Sequence, residues 1–183
     1  MRIIAGSLKG RKFTPPKGLP TRPTTDFAKE GLFNILESNW DLSEVKYLDL
    51  FGGSGNLSYE MYSRACRNIT IVDNFDGCIR FIENTAEKFG IDCIKPVKAD
   101  VFRFINSCKE QFDLIFAGPP YPLSNLAEIP DKILSNNLLK KEGWFILEHS
   151  PEHNFENHPN FFHHRNYSKT NFSIFRMEQK EAT

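Results

Sequence analysis

The stretch Tyr47-Leu48-Asp49-Leu50-Phe51-Gly52-Gly53-Ser54-Gly55 decides the fold of this chain. Residues 45–50 are few, largely apolar and close on an acid, as in a parallel strand buried on both faces. They run into three glycines within four residues and then into Leu57-Ser58-Tyr59-Glu60-Met61, which suits a helix. A glycine turn between strand and helix lets a ligand approach the backbone closely, beside the free N–H groups of the helix start. The next apolar run, Ile69-Thr70-Ile71-Val72, ends in Asp73, 20 residues after Gly53. A doubly wound sheet places a carboxylate there to accept hydrogen bonds from a ribose. The stretch therefore predicts a nucleoside site at the strand tips.

A tight turn without a ligand is the alternative reading of such a loop, and the spacing to Asp73 weighs against it. The dinucleotide fingerprint is incomplete, because Ser58 stands where a third Gly or Ala belongs, and no Gly-Lys-Ser/Thr sequence cradles a triphosphate. Outward from this centre, strand and helix patterns alternate. Helices are expected over residues 57–66, over 76–89 with Gly90 as the stop, over 101–108, and over 125–139 with a break at Pro130. Strands are expected over 69–73, 93–99, 112–117, 144–147, 161–167 and 172–177, with Pro96 marking an edge. Such alternation predicts an α/β, doubly wound, mostly parallel sheet with helices on both faces.

The N-terminal segment differs in character. Arg2 to Phe13 reads as two short strands around a Gly-punctuated turn, and Pro15, Pro16, Gly18, Pro20 and Pro23 then impose an extended tether. Thr24 or Thr25 is placed to cap a helix whose buried face is Ala28, Leu32, Ile35 and Leu36. Residues 1–29 hold seven Lys or Arg against the single acid Asp26, in a chain whose net charge is zero. That segregation favours a polyanion at the arm, with Arg2, Lys9, Arg11 and Lys12 as the candidate nucleic-acid contacts. The expected division is a basic hairpin and tether over 1–24 and a larger domain over 25–183.

At 183 residues, with ordinary apolar and charged content, the chain suits one main domain. No apolar run approaches a membrane span and residues 1–25 lack a signal-peptide core, so a cytoplasmic, non-membrane protein is expected. Cys66, Cys78, Cys93 and Cys108 form no Cys-x-x-Cys pair, and the five histidines lie scattered over 149–164, so no metal site is indicated.

The second informative stretch is Phe112-Asp113-Leu114-Ile115-Phe116-Ala117-Gly118-Pro119-Pro120-Tyr121. It ends a buried strand in a rigid, donor-poor turn whose tyrosine offers a flat ring to a base. With the glycine loop, this segment resembles the S-adenosylmethionine-dependent amino-methyltransferases of nucleic-acid bases. Arg2-Ile3-Ile4-Ala5-Gly6, Lys9-Gly10-Arg11, Thr21-Arg22-Pro23-Thr24 and Lys29-Glu30-Gly31-Leu32-Phe33-Asn34-Ile35-Leu36 narrow the resemblance to the bacterial small-subunit ribosomal RNA guanine-N2 methyltransferases, over Met1 to about Arg176.

That resemblance implies S-adenosyl-L-methionine as cofactor and small-subunit ribosomal RNA, or the assembling small subunit, as partner. Asp49, Phe51, Gly52, Gly53, Ser54 and Gly55 would line the methionine and ribose end. Asp73 with Asn74 would take the ribose hydroxyls, Asp100 with Val101 the adenine, and Arg22-Pro23-Thr24 would cover the cofactor. Gly118, Pro119, Pro120 and Tyr121 would hold an extruded guanine. The sulfonium methyl is already electrophilic, so positioning carries most of the catalysis and no metal is called for.

Two positions depart from the family. Gly118 stands where the family carries Asp or Asn to accept from the target amine, a loss worth about 3 kcal/mol, or about a hundredfold in rate. Phe27 replaces an expected basic residue. The rival readings are an RNA-binding module that keeps the fold but has lost turnover through Gly118, and a nicotinamide oxidoreductase.

Overall fold

In the computed structural model, which describes residues 1–22 and 24–177, seven strands form one sheet in the order β3-β2-β1-β4-β5-β7-β6. β1 (Lys46–Leu50), β2 (Asn68–Asp73), β3 (Ile94–Lys98), β4 (Phe112–Ala117) and β5 (Leu139–His149) run parallel. β7 (Thr170–Arg176) pairs antiparallel with both β5 and β6 (Phe161–Tyr167). The doubly wound sheet is as the alternating pattern requires, and β3, which carries Pro96, is an edge strand. An edge tolerates proline because only one side of it is paired.

The sheet is covered on both faces. α1 (Asp26–Asn39), α2 (Asn56–Ser63) and α3 (Asp76–Phe89) bury Leu32, Leu36, Leu57, Met61 and Ile82 against Tyr47, Leu114, Phe116 and Ile146. α4 (Val101–Ser107) and α5 (Ile129–Ser135) bury Val101, Ile105, Ile129 and Ile133 against Leu48, Leu50, Ile115 and Phe145. Alternate residues of each strand thus serve opposite cores. Local signals set the helix ends: the Thr25 hydroxyl accepts from Ala28 N–H at 3.2 Å, and Gly90 ends α3 at φ 69°.

Several expectations need correction. Residues 2–13 contain no pair of regular strands; Arg2 and Lys12 make one isolated antiparallel bridge. Gly6 and Gly10, at φ 80° and 82°, curl the segment before a ladder can extend. Its ends are still joined, by Ile3 N–H to Arg11 O at 3.0 Å and Phe13 N–H to Met1 O at 3.1 Å. The helix expected over 125–139 is a 3₁₀ turn, Leu126–Glu128, followed by the short α5, with Pro130 in its first turn, where a missing N–H costs nothing. β5 claims Leu139 and runs far past the expected 144–147, its register broken by an irregularity between Phe112 and Leu114. α2 stops at Ser63, short of Cys66, because Ala65 turns to φ 81°.

The arm lies on the body through Ile3, Leu8 and Phe13, which pack with Tyr59, Ala86, Phe89 and Ile91. A fully buried cation fixes it. Lys29 Nζ donates to Arg2 O at 2.6 Å and Asn56 Oδ1 at 2.9 Å, and lies 3.3 Å from Glu60 Oε2. The Glu60 carboxylate also accepts from Ile4 N–H, Ala5 N–H and Arg64 Nε. Burial lowers the Lys29 pKa and the Glu60 charge opposes that shift.

Candidate active site

In open α/β sheets, ligands bind beyond the carboxyl ends of the strands where the strand order reverses. Here the reversal falls between β1 and β4. Beyond it opens a cavity of about 550 Å³ lined by both signature stretches. From the glycine loop come Asp49, Phe51, Gly52, Gly53 and Ser54; from β4 and its turn come Phe116, Gly118, Pro119, Pro120 and Tyr121. Asp73, Asn74, Asp100 and Val101 supply the β2 and β3 side, and Arg22 and Thr24 of the tether supply a wall.

Of the remaining expected site residues, Gly55 lies behind the lining as the N-cap of α2, at φ 76°, with the Tyr59 ring directly against it. Pro23 lies outside the described residues. Arg2, Lys9, Arg11 and Lys12 do not line the cavity. All four are exposed on the arm, Arg2 paired with Asp26 at 2.7 Å and Arg11 with its guanidinium 5.4 Å from the Phe89 ring centre.

The glycine loop is pinned to the end of β2 and to itself. Gly52 N–H donates to Val72 O at 3.0 Å, Gly53 N–H to Asp73 Oδ2 at 2.9 Å and Gly55 N–H to Gly52 O at 2.8 Å. These amides are therefore spent, and the loop offers no glycine cradle for a phosphate. Ser58, the position that breaks the dinucleotide fingerprint, is buried and donates its hydroxyl to Asp49 Oδ2 at 2.6 Å. The other Asp73 oxygen accepts from Phe75 N–H at 2.9 Å, so this carboxylate is held rigidly at the rim.

The cavity is acidic. Asp49, Asp73, Asp100 and Glu148 line it, against Arg22 as its only lining cation among the described residues. Burial, with the charges of Asp73 and Glu148 adding to it, raises the Asp49 carboxyl to about 7 despite the Ser58 hydrogen bond. Burial likewise raises Glu148, which Thr24 and Arg22 partly offset. Unlike a phosphate pocket, such a lining favours a cationic ligand. Arg22 stacks its guanidinium 3.7 Å from the Tyr121 ring centre, joining the tether to the Pro-Pro-Tyr turn across the mouth.

Sequence reasoning missed Asn56, Phe75, Phe102, Leu123 and above all Glu148. Phe75, after β2, and Phe102, after β3, add flat apolar walls to that side of the cavity. Glu148 had a readable signal: Asp73 ends the second strand run and Asp100 follows the third, and Glu148 likewise follows Trp144-Phe145-Ile146-Leu147. No group of three or more His, Cys, Asp or Glu suited to a metal occurs among the described residues, nor does any helix long and apolar enough to cross a membrane.

Sheet order, glycine loop and Pro-Pro-Tyr turn together define a Rossmann-like class I methyltransferase domain. A hypothetical protein of Thermus thermophilus has this fold at TM-score 0.84 and 22% identity, over 97% of this chain and 99% of that one. The Thermus thermophilus 16S rRNA N2 G1207 methyltransferase, solved with AdoMet and guanosine, matches at TM-score 0.69 and 17% identity, over 88% of this chain and 46% of that one. The family described as Conserved hypothetical protein 95 matches residues 1–177. Ribosomal RNA small subunit methyltransferase D of Haemophilus influenzae is 32% identical over 153 residues, covering 81% of this chain and 78% of that protein. The chain belongs to this family of small-subunit ribosomal RNA methyltransferases.

Proposed function

We propose that the protein transfers a methyl group from S-adenosyl-L-methionine to the exocyclic N2 amine of a guanine in small-subunit ribosomal RNA. The observation that carries this reading is the joining of the glycine loop with Asp73 and the Pro-Pro-Tyr turn in one acidic cavity. The cofactor brings a sulfonium and an ammonium, and the carboxylate lining suits both. Asp49 would face the methionine end, Asp73 the ribose hydroxyls, and Asp100, with Phe75 and Phe102, the adenine. A pyrophosphate cofactor fits poorly, since the loop glycine amides are occupied and carboxylates outnumber cations. The names of the relatives, and the Thermus 16S rRNA N2 methyltransferase solved in complex with AdoMet and guanosine, favour ribosomal RNA and a guanine amine over other acceptors.

On this reading Pro119, Pro120 and Tyr121 take the extruded base, whose edge is reachable only out of the stack. Tyr121 is held for that task by Arg22 on its face and by its hydroxyl, which donates to Lys169 O at 3.3 Å. The 1–24 arm would supply phosphate contacts through Lys9, Arg11 and Lys12, and the 25–183 domain the chemistry. The deciding assay is transfer of labelled methyl to small ribosomal subunits lacking the modification. Incorporation at a guanine N2 is expected; incorporation elsewhere, or none while the cofactor binds, refutes the assignment.

A further inference from the structure

The family pattern leaves a gap at Gly118, and the cavity contains the group to fill it. β4 and β5 are in parallel register at Ala117 and Leu147, so Gly118 and Glu148 lie side by side, one residue further on. The strand alternation puts both on one face: Phe116 and Ile146 enter the α1–α2 core, and Ala117 and Leu147 the opposite one. Glu148 is 5% exposed and lines the cavity with Pro119, Pro120 and Tyr121. Thr24 donates its hydroxyl to Glu148 Oε2 at 2.6 Å. Oε1 has no hydrogen-bond partner among the described residues. The other acids are placed or held elsewhere: Asp49 pairs with Phe116, two residues before Gly118, and holds Ser58, both Asp73 oxygens accept backbone N–H groups, and Asp100 caps α4 by accepting from Arg103 N–H.

We propose that Glu148 accepts the N–H of the target guanine amine, in place of the side chain that Gly118 lacks. The inference rests on the guanine-methyltransferase reading above. As guanine N2 takes the methyl carbon, the N–C bond forms and the sulfonium C–S bond breaks, its electron pair staying on sulfur. The surplus amine proton passes to Glu148 Oε1, leaving a neutral carboxylic acid. Thr24, whose hydroxyl holds the other oxygen, is the positioning residue, and it ties the tether to catalysis.

Glu148→Gln tests this sharply. The Thr24 hydroxyl needs an acceptor, so the amide oxygen stays with Thr24 and the NH₂ turns to the cavity, replacing an acceptor by a donor. In binding measurements the wild type should prefer guanosine monophosphate over inosine monophosphate, which lacks the 2-amine, by about tenfold, the worth of one charged hydrogen bond. Glu148→Gln should abolish that preference without lowering resistance to urea. Its single-turnover methyl transfer should fall about a hundredfold, as for loss of one preorganised polar group. Gly118→Asp should then restore much of the rate in the Glu148→Gln background, yet speed the wild type less than threefold. Among the described residues a Cβ at Gly118 meets Phe116 alone, with Cε1 at 3.0 Å, so the ring must yield slightly.

Retained guanosine preference and rate in Glu148→Gln overturn the proposal. A hundredfold gain from Gly118→Asp alone also overturns it, while leaving the methyltransferase reading intact; this arm decides even if Glu148→Gln fails to fold. Absence of transfer by both wild type and Gly118→Asp refutes the functional reading, and the role of Glu148 with it.

Discussion

Two clusters of buried acid in this molecule meet opposite fates. Under the arm, Glu60 is fully buried, yet it is matched by Lys29, Arg64 and two backbone N–H groups. At the strand tips, Asp49 and Glu148 are almost as buried, yet each has one hydroxyl partner and neither makes an ion pair among the described residues. Burying an unpaired charge is costly, so a fold keeps one only where something else offsets it. The Glu60 cluster is complete and holds the arm in place. The strand-tip cluster has no ion-paired cation among the described residues, and on the proposed function the positive groups of the cofactor would supply one.

The largest expected effect tests the first cluster. Lys29→Met should destabilise the protein by about 3–5 kcal/mol in urea unfolding, because it leaves Glu60 short of a cation in a dry site. Asp49→Asn should be neutral or stabilising in the same assay, since it relieves a carboxyl that burial already disfavours. Equal losses from the two changes would erase the distinction. Next, Asp73→Ala should weaken S-adenosylmethionine binding by about 1–3 kcal/mol in calorimetry, the loss of hydrogen bonds to a charged group. Unchanged affinity would remove Asp73 from the cofactor site.

A smaller effect follows from the Asp49 carboxyl, which stands at about 7 against an ordinary 3.8. The folded state holds this proton more tightly than the unfolded chain, so Asp49 contributes most to stability below the unfolded value. That contribution is lost as pH rises towards 7. Ligand binding runs the other way: a cation favours the ionised carboxylate and must expel the proton below 7. Cofactor affinity should therefore rise by up to about tenfold per pH unit until 7 and then level off. Asp49→Asn should flatten the profile; a flat wild-type profile would show that Asp49 does not face the cation.

The smallest effect concerns the arm, whose apolar side is locked down while its charged side is exposed. Neutralising Lys9, Arg11 and Lys12 together should reduce the salt dependence of RNA binding by a log–log slope of about 2–3, one increment of just under one per phosphate contact. Cofactor affinity should not move. An unchanged slope would make the arm a structural brace and place the RNA elsewhere.

Much of this was legible in the chain itself. Strand and helix periods, the glycine turn after an acid-tipped strand and the Gly90 stop are local patterns, and local patterns fix element type and sheet class. The loop at 51–54, Asp73 and the Pro-Pro-Tyr turn were readable because strand ends in such sheets point to one crevice. Tertiary structure decided what depended on distant partners. It curled the arm on Gly6 and Gly10, extended β5 to Leu139, and buried Lys29 against Glu60, a charge no sequence pattern marks as interior. It also decided the place of Glu148, which becomes a neighbour of Gly118 only when β4 and β5 pair in register. Register belongs to the sheet as a whole, and no single stretch of residues encodes it.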